Sequence, residues 1–318
     1  MSQALWSPSA RRVQEANINR FIRLIRRERD PAIVDYQSLY QFSIDSPKAV
    51  WRAVWEFGGV IGTAGLRAVG HHERMPGASW FPDASLNFAE NLLRYRDDRD
   101  ALVFSSETGI KSTLTYRQLY RQVAGIASAL RGAGIEPGDR VAAYMPNLPE
   151  TIIAMLATTS IGAIWSSCSP DFGISGVVDR LGQIQPRVLF CASAYTYNGK
   201  QHDCLSKVSE IHNRIDSIQK VVVIPYVEQH PDLSELHSAR LWSDFTDPQA
   251  SEVEFKHLPF NHPVYILYSS GTTGVPKCIT HGAGGTLLQL IKEHLLHVDM
   301  KRDDRLFYYT TCGWMMWN

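Results

Sequence analysis

The sequence predicts an α/β protein with a helical N-terminal region followed by doubly wound, largely parallel sheets. From about residue 114 onward, runs with helical spacing alternate with short apolar runs, which is the order expected when helices connect parallel strands. The apolar runs lack polar alternation, so both faces of the sheets are expected to be covered. With 318 residues and 44% apolar content, the chain can bury one large core or two smaller ones.

An arginine-rich amphipathic helix is predicted near the start of the chain, between Arg11 and Arg29. The stretch contains seven arginines, a composition that also suits a mitochondrial presequence. Glu15, Glu28 and Asp30 argue against a presequence, so we interpret the stretch as an amphipathic surface helix. Its apolar residues at helical spacing are Ile18, Phe21, Ile22 and Ile25.

The alternating region begins with a helix whose ends are marked in the sequence. Thr115 and Gln118 have the spacing of a capping box, and Gly132 and Gly134 mark the C-terminal end. The turn sequence Pro137-Gly-Asp139 then leads into the first buried strand. The predicted buried strands are Arg140–Tyr144, Ala163–Ser167, Val188–Cys191 and Val221–Ile224.

The uncharged stretch from residue 151 to 170 is predicted to be a buried helix followed by a strand. Asn147 and Glu150 again have capping-box spacing, and Pro149 and Pro170 bracket the stretch. Polar residues interrupt it, and a helix of about ten residues is too short to span a bilayer. We therefore expect a buried helix and strand here, and no transmembrane segment.

The polar, proline-containing stretch from Glu228 to Pro259 predicts a break between two sheets. Beyond this break, Val264, Ile266 and Leu267 indicate another buried strand. Ile279–His281 indicates a second short strand, so the two are expected to form a hairpin.

The loop of this hairpin, Tyr268–Lys277, is predicted to bind a polyphosphate. Its glycines permit positive φ, so backbone N–H groups can turn toward an anion. Its hydroxyls add donors and its lysine adds a positive charge. The spacing matches neither a Walker A loop nor a dinucleotide fingerprint, so another class of nucleotide site is indicated. The predicted phosphate-binding residues are Ser269, Ser270, Gly271, Thr272, Thr273, Gly274 and Lys277.

The loop resembles the phosphate-binding motif of the acyl-adenylate-forming (AMP-dependent) synthetases and ligases. Cys278 stands where that family usually has glycine, so ordinary β backbone is expected there. Leu114–Leu119 is similar to the family's first core motif, and Leu156–Pro170 is similar to the second. The resemblance implies the N-terminal part of the adenylate-forming-enzyme fold.

Further segments resemble the short-chain acyl-CoA synthetase branch of this family. They are Tyr36–Phe57, Trp80–Leu93, Ser166–Gly173 and Thr310–Asn318. The resemblance implies a helical N-terminal region at residues 1–95 and an AMP-binding large domain at residues 96–318. Relatives continue for about as many residues again, and an apolar terminus is normally covered by further chain. We therefore expect an N-terminal fragment that is inactive by itself.

The resemblance implies an ATP-dependent acid–thiol ligase that uses ATP with Mg²⁺ and coenzyme A. Lys277, Thr273 and His281 take the implied catalytic roles. Trp314, Met315 and Met316 are implied to bind the acyl group. The resemblance of Trp80–Leu93, Ser166–Gly173 and Thr310–Asn318 implies acetoacetate as the acid, rather than acetate, propionate or butyrate. Two flexible thioethers can line a slot for such a longer, oxo-substituted chain.

Composition gives no support to several other classes of protein. There are 32 basic and 32 acidic residues, so net charge offers no case for nucleic acid as a partner. The cysteines form no Cys-x-x-Cys pair, and we interpret them as buried thiols in a reducing cytoplasm, without a metal site. Two rivals stay open: a catalytically inactive nucleotide-binding protein, and a kinase that releases ADP. The cysteines are Cys168, Cys191, Cys204, Cys278 and Cys312.

Overall fold

A computed structural model describes residues 5–269 and 274–318. These residues form two compact units. The first, the N-terminal unit, contains the described residues up to Leu86 together with Pro259–Asn261 and Gly284–Tyr308. The second, the sheet unit, contains Asn87–Leu258, the described part of His262–Ala283, and Tyr309–Asn318. The predicted boundary at residue 95 stays a prediction.

Four helices and four two-residue strands come first along the chain. Helices α3 and α4 confirm the helical character expected for Tyr36–Phe57. The elements are α1 Ala10–Glu15, α2 Asn17–Glu28, α3 Tyr36–Asp45, α4 Pro47–Phe57, β1 Gly62–Thr63, β2 Val69–Gly70, β3 Ser79–Trp80 and β4 Ser85–Leu86.

The arginine-rich stretch forms two helices, whereas one was predicted. The chain is extended at Ala16, and α2 starts afresh because the Asn17 N–H donates to Asp299 Oδ1 at 2.7 Å. A carboxylate at that position satisfies a free N–H and complements the helix dipole. The apolar stripe of α2 is buried, and Phe21 packs edge-on against Phe57 at 5.4 Å.

The alternating region follows in the order expected for a parallel sheet. Its elements are α5 Phe88–Leu92, β5 Asp100–Ser105, β6 Lys111–Thr115, α6 Tyr116–Gly132, β7 Arg140–Tyr144, α7 Pro149–Ser160, β8 Ile164–Cys168, α8 Ile174–Ile184, β9 Val188–Ala192, β10 Ala194–Tyr197, β11 Lys200–Asp203, α9 Leu205–Arg214, β12 Lys220–Ile224, β13 Ala239–Leu241, α10 Trp242–Phe245, β14 Leu258–Pro259, β15 Pro263–Ser269, β16 Lys277–Gly282 and α11 Ala283–Ile291. A π-helix at Lys292–His297 and a 3₁₀ helix at Met315–Trp317 complete the described chain.

The core of the sheet unit is a seven-stranded sheet of order β13-β12-β9-β7-β8-β15-β16. All neighbouring strands in it run parallel except the β15–β16 pair. The four predicted buried strands are confirmed to within one residue at each end. Every residue of β8 and β9 is buried, as expected for a parallel sheet with both faces covered.

The predicted break between two sheets at Glu228–Pro259 is wrong in the part of the chain that the structure describes. Strand β15 follows this stretch and pairs with β8 in the same sheet that contains β12. The addition of β15 to this sheet agrees with its sequence, because β15 is apolar like the strands before it. Such a strand gains most by covering the open edge of an existing sheet.

The two predicted capping boxes have different outcomes. At α6, the side chains of Thr115 and Gln118 cap each other's backbone N–H groups, as predicted. At α7, the N-cap is Leu148 and no side chain caps the helix, so the role predicted for Asn147 is wrong. Proline at the first helical position has no N–H to satisfy, and the Asn147 side chain bonds elsewhere. No helix among the described residues is long and apolar enough to cross a bilayer.

Asn87 is a buried polar anchor at the start of the sheet unit. Its side chain is only 2% exposed, and its Oδ1 accepts from the Glu90 N–H to cap α5. Its Nδ2 lies 2.8 Å from both the Ser160 and Lys256 carbonyls. One amide therefore holds together α5, the end of α7 and the chain that leads to β15.

We predict that Asn87→Ala lowers the free energy of unfolding by about 2–4 kcal/mol, because it removes a cap and leaves buried carbonyls unpaired. Asn87→Asp keeps the capping oxygen but turns an acceptor toward the two carbonyls, so it should destabilise at least as much. The midpoint of urea unfolding measures both. Thr115→Ala, which removes only a cap, is the control and should cost about 1 kcal/mol. An Asp variant as stable as the original chain would contradict the anchoring role.

Candidate functional site

The candidate site lies at the carboxyl ends of three neighbouring parallel strands, β7, β8 and β15. In the register of this sheet Tyr144 pairs with Cys168, and Tyr265 pairs with Trp165. The three strands therefore end at one edge, which we call the carboxyl edge. In open α/β sheets, ligands bind outside this edge, where loops from adjacent strands meet.

The predicted phosphate loop leaves the sheet at this edge. Ser269 is directly opposite Lys277 in the antiparallel β15–β16 pair, which confirms the predicted hairpin. Gly274 has φ +95°, a conformation that favours glycine. Cys278 is in regular β-strand, as expected. Four predicted ligands, namely Ser270, Gly271, Thr272 and Thr273, lie outside the described residues.

Lys277 and His281 lie on the same strand but at different distances from the carboxyl edge. Lys277 is exposed at the start of β16 and has no acidic partner among the described residues. His281 is half-buried opposite Tyr265, on the same face of the strand and about 13 Å farther from the edge. The structure thus brings Ser269 and Lys277 together at the carboxyl edge, whereas His281 lies farther inside the sheet.

Helix α8 contacts both the hairpin and the loop between β8 and α8. Gln183 Nε2 donates to the Pro276 carbonyl at 2.8 Å, at the stem of the phosphate loop. Arg180 stacks over the Phe172 ring at 4.3 Å. Tyr268, the first residue of the loop motif, packs among the residues that α8 covers, and burial raises the pKa of its phenol.

The segment at residues 309–318 lies across the ends of β7 and β8. Ser167 Oγ donates to the Cys312 carbonyl at 2.6 Å. Asn147 holds two points of the segment, because its Oδ1 accepts from Trp317 Nε1 at 2.8 Å and its Nδ2 donates to the Thr310 carbonyl at 3.4 Å. The side chain predicted to cap a helix instead fastens this segment to the carboxyl edge.

Gly313 packs too closely against the β8–α8 loop to carry a side chain. A Cβ there would lie 2.8 Å from both the Ser169 nitrogen and Phe172 Cε2. Such a separation is well inside van der Waals contact, so the backbone would have to shift. The position of the following 3₁₀ helix therefore depends on this glycine.

The predicted acyl-binding residues are in and beside that 3₁₀ helix, which packs near β15. Trp314 is 53% exposed and Met316 is 67% exposed, whereas Met315 is half-buried. The structure therefore brings this segment to the same edge as Ser269 and Lys277. Their role in binding an acyl group stays a prediction.

The loop between β8 and α8 places a fixed carboxylate at this edge. Asp171 accepts from Ser169 Oγ at 2.7 Å and from the Tyr195 hydroxyl at 3.3 Å. The Tyr144 hydroxyl lies 2.9 Å from the Pro170 carbonyl and steadies the same loop. Burial, with the nearby Asp171 charge, raises the pKa of Tyr195 to about 12, and burial also raises the pKa of Tyr144. Both phenols therefore stay neutral donors near neutral pH.

Sequence reasoning missed Asn147, Asp171 and Gln183 as residues that shape the site. The first two lie three and four residues beyond the ends of the predicted strands Arg140–Tyr144 and Ala163–Ser167. A polar residue just beyond the carboxyl end of a parallel strand is a signal for a binding loop, and it could have identified both. Gln183 carried no such signal, because its partner is a backbone carbonyl more than ninety positions away.

Four of the five cysteines are buried thiols, as predicted. Burial raises the pKa of Cys168 and of Cys204 to about 12, so these thiols stay protonated and poorly nucleophilic. Cys278 is exposed, which corrects the prediction for that residue. It lies on β16, the last strand of the sheet, which has a neighbouring strand on one side only.

Two family profiles match the chain. The profile described as "AMP-binding enzyme" matches residues 88–317, and "Acetyl-coenzyme A synthetase N-terminus" matches residues 36–92. The chain is 47% identical over 316 residues to an acetoacetyl-coenzyme A synthetase from Rhizobium meliloti (strain 1021), covering 99% of the chain and 48% of the relative. It is 45% identical over 328 residues to an acetoacetyl-CoA synthetase from Danio rerio, covering all of the chain and 48% of the relative.

A solved structure agrees with the fold over nearly the whole chain. The acetoacetyl-CoA synthetase from Streptomyces lividans is similar with a TM-score of 0.93 and 40% identity, covering 99% of this chain and 49% of that one. The chain thus spans about half the length of the curated relatives it matches. The family profile, the fold and the loops gathered at the carboxyl edge agree, and the chain belongs to the AMP-binding enzyme family.

Proposed function

We propose that this chain forms the first half of an ATP-dependent acid–thiol ligase that makes acetoacetyl-CoA from acetoacetate, ATP and coenzyme A. The observation that carries the proposal is the 40–47% identity, across essentially the whole chain, to proteins named acetoacetyl-CoA synthetase. The convergence of the hairpin and the 309–318 segment at one sheet edge supports it. We assign residues 1–95 to the helical N-terminal region and residues 96–318 to the AMP-binding large domain.

In the first half-reaction, the substrate nucleotide is the Mg²⁺ complex of ATP. The carboxylate of the acid attacks its α-phosphorus. The bond from the α-phosphorus to the bridging oxygen breaks, so acyl-AMP forms and pyrophosphate leaves. Negative charge gathers on the leaving group. We assign its stabilisation to Lys277, to Ser269 and to the loop residues between them, because fixed donors act best where charge develops. His281 is assigned to the acyl and α-phosphate side.

In the second half-reaction, the thiol of coenzyme A loses its proton to solvent and its sulfur attacks the acyl carbon. The bond from that carbon to the phosphate oxygen breaks, so the thioester forms and AMP leaves. We assign Trp314, Met315 and Met316 to the acyl side of the site. Met315 is half-buried and Met316 is exposed beside β15, and unbranched thioethers adapt to an oxo-substituted chain.

Three other functions are distinguishable by their products. A ligase for acetate, propionate or butyrate would release AMP with a different acid. A kinase would release ADP, and an inactive nucleotide-binding protein would bind ATP without releasing either product. The buried thiols favour a reducing compartment, and we assign the protein to the cytoplasm. AMP release, tested with each acid in a protein of the relatives' length that contains this chain, decides among them.

Lys277→Ala in that longer protein should slow acyl-AMP formation by about 100- to 1000-fold, the usual effect of removing one preorganised donor. Thioester formation from preformed acyl-AMP should change far less, because no pyrophosphate leaves in that step. Pyrophosphate exchange and single-turnover thioester assays measure the two steps. Lys111→Ala, an exposed lysine on β6, is the control. Equal losses in both half-reactions would contradict the role of Lys277.

Gly313→Ala should shift the segment that carries Met315 and Met316, because the new Cβ would meet the Ser169 nitrogen at 2.8 Å. We expect kcat/KM for the acid to fall by about 100-fold, since a displacement of about 1 Å can cost that much. Gly173→Ala is the matched control, because its φ is −69° and a Cβ there meets nothing within 4 Å. Similar kinetics for the two variants would remove this segment from the acyl site.

Met315→Val combined with Met316→Thr should change acid selectivity. A methylene-sized misfit changes discrimination between acids by about 10- to 200-fold. The ratio of acetoacetate activity to acetate or propionate activity should therefore decrease by a factor in that range. The KM for ATP should change little. Met75→Val, at a 99% exposed position, is the control. An unchanged ratio with lower activity on every acid would mean that the methionines only pack against their neighbours.

A further inference from the structure

The solvent face of the N-terminal helices α1 and α2 carries a dense positive charge. Residues 11–30 contain seven arginines and three acidic residues, a net charge of +4 in a chain whose total is zero. On α2, the buried residues Asn17, Phe21, Ile22 and Ile25 form one stripe. At 100° per residue the exposed arginines lie on the opposite side of the helix. These are Arg20, Arg23, Arg26 and Arg27.

Only part of this charge is balanced locally. Arg11, Arg27 and Arg29 form ion pairs with acidic residues of the same unit. Arg23 and Arg26 have no acidic partner in the described ranges 5–269 and 274–318. These two arginines are free to meet an anion that approaches from solvent.

Exposed apolar side chains adjoin the charged face. Leu5 is fully exposed, Trp6 is 68% exposed and Val13 is 46% exposed. The Arg12 guanidinium lies 5.6 Å from the centre of the Trp6 ring, and Asn19 of α2 donates to the Val13 carbonyl. These contacts attach the apolar residues to the same pair of helices as the arginines.

We propose that the surface formed by Leu5, Trp6, Val13 and the exposed arginines of α1 and α2 docks on an anionic lipid bilayer. Clustered arginines are attracted to acidic headgroups, and tryptophan with an aliphatic neighbour inserts at the headgroup boundary. The positive charge of the arginines favours acidic lipids over neutral lipids. The exposed apolar residues favour a bilayer over a dissolved polyanion. Leu5 and Val13 have no ring to stack on a base, so nucleic acid would leave them in water.

The docking is peripheral, because the apolar stripe of α2 stays in the core of the N-terminal unit. Phe21, Ile22 and Ile25 are at most 5% exposed. Only α1, the side chains before it and the solvent face of α2 would contact lipid. The surface is independent of the proposed ligase site, so either inference can fail without the other.

Sedimentation of this chain with phosphatidylcholine vesicles that contain phosphatidylserine tests the docking. Binding should exceed that to vesicles of phosphatidylcholine alone, and about 1 M salt should remove the difference. Arg23→Gln with Arg26→Gln should lower the partition coefficient by about 25-fold, or about fivefold for each arginine. Leu5→Ala with Trp6→Ala should weaken binding to the same vesicles.

Lys111→Gln with Arg121→Gln is the matched control, because both residues are exposed in the sheet unit. It should bind like the original chain, and thermal unfolding should show that no variant has lost its fold. Equal binding to both kinds of vesicle, or full binding by the Arg23 and Arg26 variant, would overturn the proposal. Duplex DNA that displaces the chain from the vesicles would indicate binding of nucleic acid. If the Leu5 and Trp6 variant binds that DNA as tightly as the original chain, the surface would be assigned to nucleic acid instead.

Discussion

The parallel pairing of β15 with β8 is the constraint on which the candidate site depends. Strand β15 joins the sheet after the 21 residues, 242–262, that follow β13, and its register sets Tyr265 opposite Trp165. This pairing aligns the end of β15 with the ends of β7 and β8. The stem of the hairpin, the β8–α8 loop and the 309–318 segment lie at one edge of the sheet because those three strands end together.

The side chains around this edge are arranged to hold backbone segments in place. Asn147 fastens the 309–318 segment, Gln183 holds the hairpin stem, and Tyr144 steadies the β8–α8 loop. Each of these is a neutral donor or acceptor bonded to a fixed group. Such preorganisation leaves Lys277 as an exposed cation whose charge is available to an anion.

Helices α8 and α2, one in each unit, both bury an apolar face and expose a polar face. Helix α8 buries one face on the sheet and presents Gln183 and Arg180 beside the site, whereas α2 buries one face in the N-terminal unit and presents arginines to solvent. In both, the apolar stripe fixes which residues point outward. The polar face of a packed helix is thus as strictly placed as its core face.

The sequence by itself determined the element types, the buried strands, the hairpin and the family. These depend on local patterns: apolar runs for β7 to β9, reciprocal capping at Thr115 and Gln118, and the glycine- and hydroxyl-rich composition of the loop. The tertiary structure alone decided that β15 joins the first sheet, that Asn147 holds the 309–318 segment, and that Gly313 packs on Ser169. Each of these involves partners far apart in sequence, and hydrogen bonds between such partners follow from strand register and close packing, which no local window contains.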